Sequence, residues 1–223
     1  MTYQVIAGPR TGSCLLNSFA LEDNGLGFHE YFLEDIDINL NWHRKLFIKY
    51  SIEERLEFLE YYKSKDIHFS FKFFPHQALE ENPELENRFI DFFKDYKNLT
   101  IHRDPWESLL SLAYQHHTKW ETSHNWDHKG IIDLDEYEID LTLVQLFVKM
   151  YKINEDFASK INVHKKFNYE EITIENLQKF FNTSFTPRSK PMGLDYKSKA
   201  INIKEAREIF DYEMHGTRNW NNN

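Results

Sequence analysis

Short apolar runs alternate along the chain with longer stretches in which apolar positions recur at helical spacing. Tyr3 to Ala7 (YQVIA) reads as a buried strand, as do Ile67 to Phe74 (IHFSFKFF), Asn98 to His102 (NLTIH) and Val163 to Phe167. Between them lie helical patterns. Ser13 to about Asp23 turns Leu15, Leu16, Phe19 and Ala20 to one face. Ser51 is placed to cap a helix running through Tyr62, with Glu54 three residues on for a capping box. A helix enters at Pro83, where the first turn tolerates proline. Further helices are expected from Pro105 to about Trp120, over residues 138–159, from Ile174 to Phe181 and from Ile203 to Tyr212. Strands separated by helices predict an α/β fold with a central parallel sheet flanked by crossover helices. Seven Gly, six Pro and no internal repeat predict a single domain over residues 1–223, with Asn219 to Asn223 as a frayed tail.

Composition adds bounds to that picture. With 19 Phe, 12 Tyr and 5 Trp the chain can build an aromatic core. A formal charge of −9 argues against a nucleic-acid or anionic-membrane partner, so any anionic ligand needs a local cluster of donors and cations. Cys14 is the single cysteine, which excludes an intramolecular disulfide and fits a reducing compartment. The N-terminus lacks the basic region and apolar core of a signal peptide, and no run is long enough for a membrane span. A soluble cytoplasmic protein is expected, and a homodimer is compatible with the sequence.

The chemistry begins at VIAGPRTGSCLL, residues 5–16. A strand running into a glycine-containing turn that opens a helix presents backbone N–H groups and a helix dipole to an anion. Thr11 and Ser13 can add hydroxyls, and Arg10 a planar cation suited to phosphate or sulfate oxygens. A nucleoside-triphosphate loop needs a second glycine followed by lysine, and counting from Gly8 gives Ser13 instead, with no lysine. A second strand, NLTIH, leads into RDPWESLLSLAYQ and so puts Arg103 at a strand end and Ser111 eight residues on, in the next helix. The carboxyl edge of an open α/β sheet is where ligands bind, and these two residues can converge there on one phosphate. The competing structural role for Arg103 is a surface pair with Asp104 or Glu107.

GPRTGSCLL resembles the 5′-phosphosulfate loop of sulfotransferases, and Arg103 with Ser111 is similar to their 3′-phosphate motif. GLGFHEYF (Gly25 to Phe32), FSFKFFPHQ (Phe69 to Gln77), HTKW (His117 to Trp120) and FNYEEI (Phe167 to Ile172) are similar, in order, to segments of the bacterial trehalose sulfotransferase branch. The resemblance covers nearly the whole chain at low identity. It implies a P-loop-like sulfotransferase fold, 3′-phosphoadenosine-5′-phosphosulfate (PAPS) as donor, no metal, and a small hydroxyl acceptor such as a carbohydrate. It further implies that Arg10, Thr11, Gly12, Ser13 and Cys14 face the 5′-phosphosulfate and that Arg103 and Ser111 hold the 3′-phosphate. Arg10 would also stabilise transition-state charge, and Glu30 would take the acceptor proton, with His29 as its rival. A carboxylate beside a sulfate is expected to have a raised pKa. Three departures stand out: Cys14 replaces a hydroxyl residue, His29 replaces an acidic or polar one, and the segment's proline is lost.

Other residues carry weaker signals. His116 and His117, with His124 and His128, match no structural zinc spacing. Trp120 and Trp126 could stack on a sugar, and Trp42 and His43 could border an acceptor. Lys72 stands at a strand end, within reach of donor or acceptor. Lys197, Lys199 and Arg207 could supply a nucleotide contact. Two rival functions remain open at this level: a P-loop kinase that has lost its lysine, and a nucleotide-binding protein without turnover.

Overall fold

A computed structural model describes the backbone of residues 2–24, 27–30, 50–118, 134–187 and 197–216, with side chains except at 23–30 and 118. Five parallel strands form one sheet: β1 (Tyr3–Ile6), β2 (Gly27–Glu30), β3 (Ser70–Phe73), β4 (Lys97–His102) and β5 (Val163–Asn168), in the order β2-β3-β1-β4-β5. The helices are α1 (Ser13–Asn24), α2 (Ile52–Ser64), α3 (Pro75–Leu79), α4 (Glu86–Phe93), α5 (Pro105–Thr118), α6 (Leu141–Lys160), α7 (Ile174–Phe181) and α8 (Ile203–His215).

Both faces of the sheet are covered, as parallel pairing requires. Val5 faces one layer, with Leu16 and Phe19 of α1, Leu99 and Ile101 of β4, and Leu177 and Phe181 of α7. Its neighbour Ile6 faces the other, where Phe69, Phe71 and Phe73 meet Leu56 of α2, Phe89, Phe92 and Phe93 of α4, and Phe157 of α6. Phe73 and Phe89 stack with centroids 4.9 Å apart. A third cluster joins α5, α6 and α8 through Trp106, Leu110, Phe147 and Phe210. Gln4, fully buried in the central strand, ties β1 to β3: its Nε2 donates to the Phe69 carbonyl (2.8 Å) and its Oε1 accepts the Phe71 N–H (2.9 Å). No helix among the described residues is long and apolar enough to cross a membrane.

The expected helices form with small shifts. Ser51 and Glu54 close the capping box on α2. The helix entered at Pro83 opens instead as a 3₁₀ turn, Pro83–Leu85, before α4. The long helix starts at Leu141 rather than near 138, because the Asp140 carboxylate caps the Thr142 N–H (2.8 Å) and Tyr137 bridges to Ala200. The third strand is shorter than Ile67–Phe74: the chain leaves a left-handed Asp66, Ile67 stays exposed, and pairing begins at Ser70. Strand β2 and helix α3 have no clear signature in the sequence. GFHE carries no alternation of its own and becomes a strand by pairing with β3. Trp42, His43, Trp120, His124, Trp126, His128 and the tail at Asn219–Asn223 lie outside the described residues.

Candidate anion site at the carboxyl edge

The strand order creates a crevice between β1 and β4. β1 feeds α1, which packs on one face, whereas β4 feeds α5, which joins α6 toward the other. Loops leaving adjacent strands in opposite directions open a cleft beyond the carboxyl ends of those strands. Arg10 and Arg103 follow these two strands, so topology delivers both cations to one place.

The turn after β1 has a defined shape. Arg10 and Gly12 both take left-handed backbone, at φ 60° and 81°. The Thr11 hydroxyl donates to the Gly8 carbonyl (2.9 Å), closing the turn from within, and the Gly12 carbonyl starts α1 by accepting from Leu15 (3.1 Å). The leading N–H groups of α1, at Ser13 and Cys14, stand at the positive end of the helix dipole. Thr11 and Ser13 are buried, so they shape the turn, while Arg10, Gly12 and Cys14 remain partly open to solvent.

Among the described residues, three cations surround this turn. Arg10 Nε donates to Ser111 Oγ across 3.1 Å, joining residues 101 positions apart. Arg103 Nη1 donates to the Arg10 carbonyl, and its guanidinium lies 4.1 Å from the Tyr169 ring centroid. The surface pairing expected as its alternative does not form: Asp104 Oδ1 accepts the Glu107 N–H (3.0 Å) and Glu107 pairs with Lys197 (3.0 Å). From the β3 side, Lys72 is buried; its Nζ donates to Cys14 Sγ (3.1 Å) and stands 4.7 Å from the Phe74 ring centroid. Cys14 therefore serves as a soft acceptor for an ammonium, not as a replacement hydroxyl donor.

Two residues of this site carried little signal in the sequence. Tyr169 supports Arg103 on one side and on the other closes against Gly12, where a Cβ would stand 3.2 Å from its Cε2. Lys72 reads as a strand residue until its register is known: it pairs with Val5 of β1 and with Glu30 of β2. Glu30 thus stands at the same sheet edge, one strand beyond Lys72. The side chains of Glu30 and His29 lie outside the described residues, as does the expected pKa rise at Glu30. The remaining candidates have other contacts among the described residues. His117 Nε2 contacts the Glu138 carbonyl at the far end of α5. Arg207 pairs with Asp211 (2.9 Å) and lies over Trp106 (5.2 Å), and the Lys199 carbonyl accepts from Tyr137 (3.0 Å). Lys197, through Glu107, stays beside the start of α5.

This arrangement gathers three cations and the start of α1 at one edge of the sheet, where an anionic group can be held. No protein-family model matches the chain, and no curated protein is significantly similar to it.

Proposed function

We propose that the carboxyl edge binds PAPS and that the chain transfers its sulfuryl group to a hydroxyl of a small acceptor, on a P-loop-like sulfotransferase fold. The observation that carries this reading is the convergence of Arg10, Ser111 and Arg103. The two segments of the resemblance, about a hundred residues apart in sequence, meet within hydrogen-bond distance. A triphosphate site uses one lysine and a metal, whereas in the family the chain resembles a 3′-phosphate is held by a further arginine and serine.

In this reading the first turn of α1 and Arg10 face the 5′-phosphosulfate, while Arg103 and Ser111 face the 3′-phosphate. The S–O bond to the leaving phosphate breaks as the S–O bond to the acceptor oxygen forms. Negative charge grows on the bridging oxygen, and fixed cations and N–H dipoles stabilise it without reorganising. Arg10 and Lys72 flank the turn where that charge would develop. Glu30, at the end of β2 beside Lys72 in register, is assigned the acceptor proton, ahead of His29.

Calorimetry with 3′,5′-bisphosphoadenosine tests the reading. Wild type should bind it in preference to ATP with Mg²⁺, and Arg103→Ala should lose about 2–4 kcal/mol of binding, roughly 30- to 1,000-fold. Absence of wild-type binding, or equal binding by Arg103→Ala, sinks the assignment. Preference for ATP would favour a kinase instead.

A further inference from the structure

A small, partly open cavity of about 20 Å³ adjoins the anion-site turn, where Gly8, Thr11 and Arg103 line it together with Ser108 of α5 and Tyr151 and Asn154 of α6. The orientation of Asn154 is fixed by its surroundings. Its Oδ1 accepts the His76 backbone N–H (3.0 Å) and lies 3.1 Å from His76 Nδ1. A carbonyl, not an amino group, must face a backbone N–H, so Nδ2 points the opposite way. That direction is toward Gly8, where a Cβ would stand 3.3 Å from Nδ2.

Asn154 Nδ2 and Ser108 Oγ are both buried without a hydrogen-bond partner among the described residues, in side chains whose residues are 6% and 2% exposed. Leaving two such groups unpaired in a folded interior is costly, and native structures avoid it. The cavity exceeds the roughly 10–15 Å³ that one water needs and is too small for a phosphate or a sugar. We propose that it is a binding site for one ordered water. The water oxygen accepts from Asn154 Nδ2 and shares a hydrogen bond with Ser108 Oγ. It connects α5 and α6 to the Gly8–Thr11 turn and so helps hold the shape of the anion site. The water site does not depend on which anion binds at the turn.

Two measurements on the full chain test this. In a crystal structure that shows ordered solvent, a density peak should lie within hydrogen-bond distance of both atoms. A cavity without density, or one filled by a rotated side chain, overturns the proposal. In solution, the Asn154 side-chain amide of ¹⁵N-labelled protein should show a cross-relaxation peak to a long-lived water. Gly8→Ala puts a methyl group into the water's space and should abolish that peak. A wild type without the peak refutes the site, and does so whether or not the variant folds.

Discussion

Replacing Gly12 by alanine separates two costs that the site turn imposes. The first is backbone: at φ 81° an L-residue sits in the left-handed region, which costs roughly 1–2 kcal/mol. The second is contact. The new Cβ would meet Tyr169 Cε2 at 3.2 Å, Cδ2 at 3.3 Å and Ile172 Cγ2 at 3.5 Å, and overpacking of this kind costs about 1–3 kcal/mol. Gly216 supplies the control. It ends α8 at φ 71°, and a Cβ added there would meet nothing within 4 Å, so Gly216→Ala should carry the backbone cost alone. Gly12→Ala should therefore destabilise by about 2–5 kcal/mol, a fall of roughly 4–20 °C in melting temperature for a chain of this size. Because Tyr169 backs Arg103, the same change should weaken binding of 3′,5′-bisphosphoadenosine, whereas Gly216→Ala should leave it unchanged. Thermal melts and calorimetry of both variants, with Tyr169→Ala added to Gly12→Ala, complete the test. If Gly12→Ala is no more destabilising than Gly216→Ala, or if removing the ring recovers nothing, the contact between the turn and Tyr169 does not have the role assigned to it.

Other expectations follow from the same geometry. Lys72→Met keeps the side-chain volume and removes the ammonium beside Cys14, so bisphosphate affinity should fall in calorimetry; unchanged affinity would place Lys72 outside the ligand's field. Glu30→Gln should cut sulfate transfer from labelled PAPS sharply with donor affinity kept, and undiminished turnover would remove Glu30 as the base. Burial, with Glu155 and Asp104 nearby, pushes the Tyr151 phenol up to about 12. The native state then keeps a proton that the unfolded chain releases near pH 10, so stability is full below about pH 10 and falls between about 10 and 12. Tyr151→Phe should shrink that alkaline loss in pH-dependent melts, and an identical loss would contradict the assignment.

Local rules made much of the fold legible. Ser51 and Glu54 announced the start of α2, and the inward stripe Leu15, Leu16, Phe19 and Ala20 announced α1. Strand β2 escaped because GFHE has no periodicity of its own; its hydrogen bonds come from β3. The same limit hid the site's second layer. Tyr169 stood only as one member of the FNYEEI segment, and Cys14 as a weakened donor, until folding placed them against Arg103 and Lys72.

The sequence by itself determined that strands would alternate with helices, that Arg10 would follow the first strand, and that Arg103 would follow a later one with Ser111 eight residues on. Those are consequences of periodicity, capping and turn chemistry, which act over a few residues. Only the tertiary structure decided that β1 and β4 would be neighbours, that Lys72 would align with Val5 and Glu30, and that Tyr169 would close on Gly12. Strand order and register are set by how two apolar layers pack across the whole sheet. No local window of sequence contains that balance.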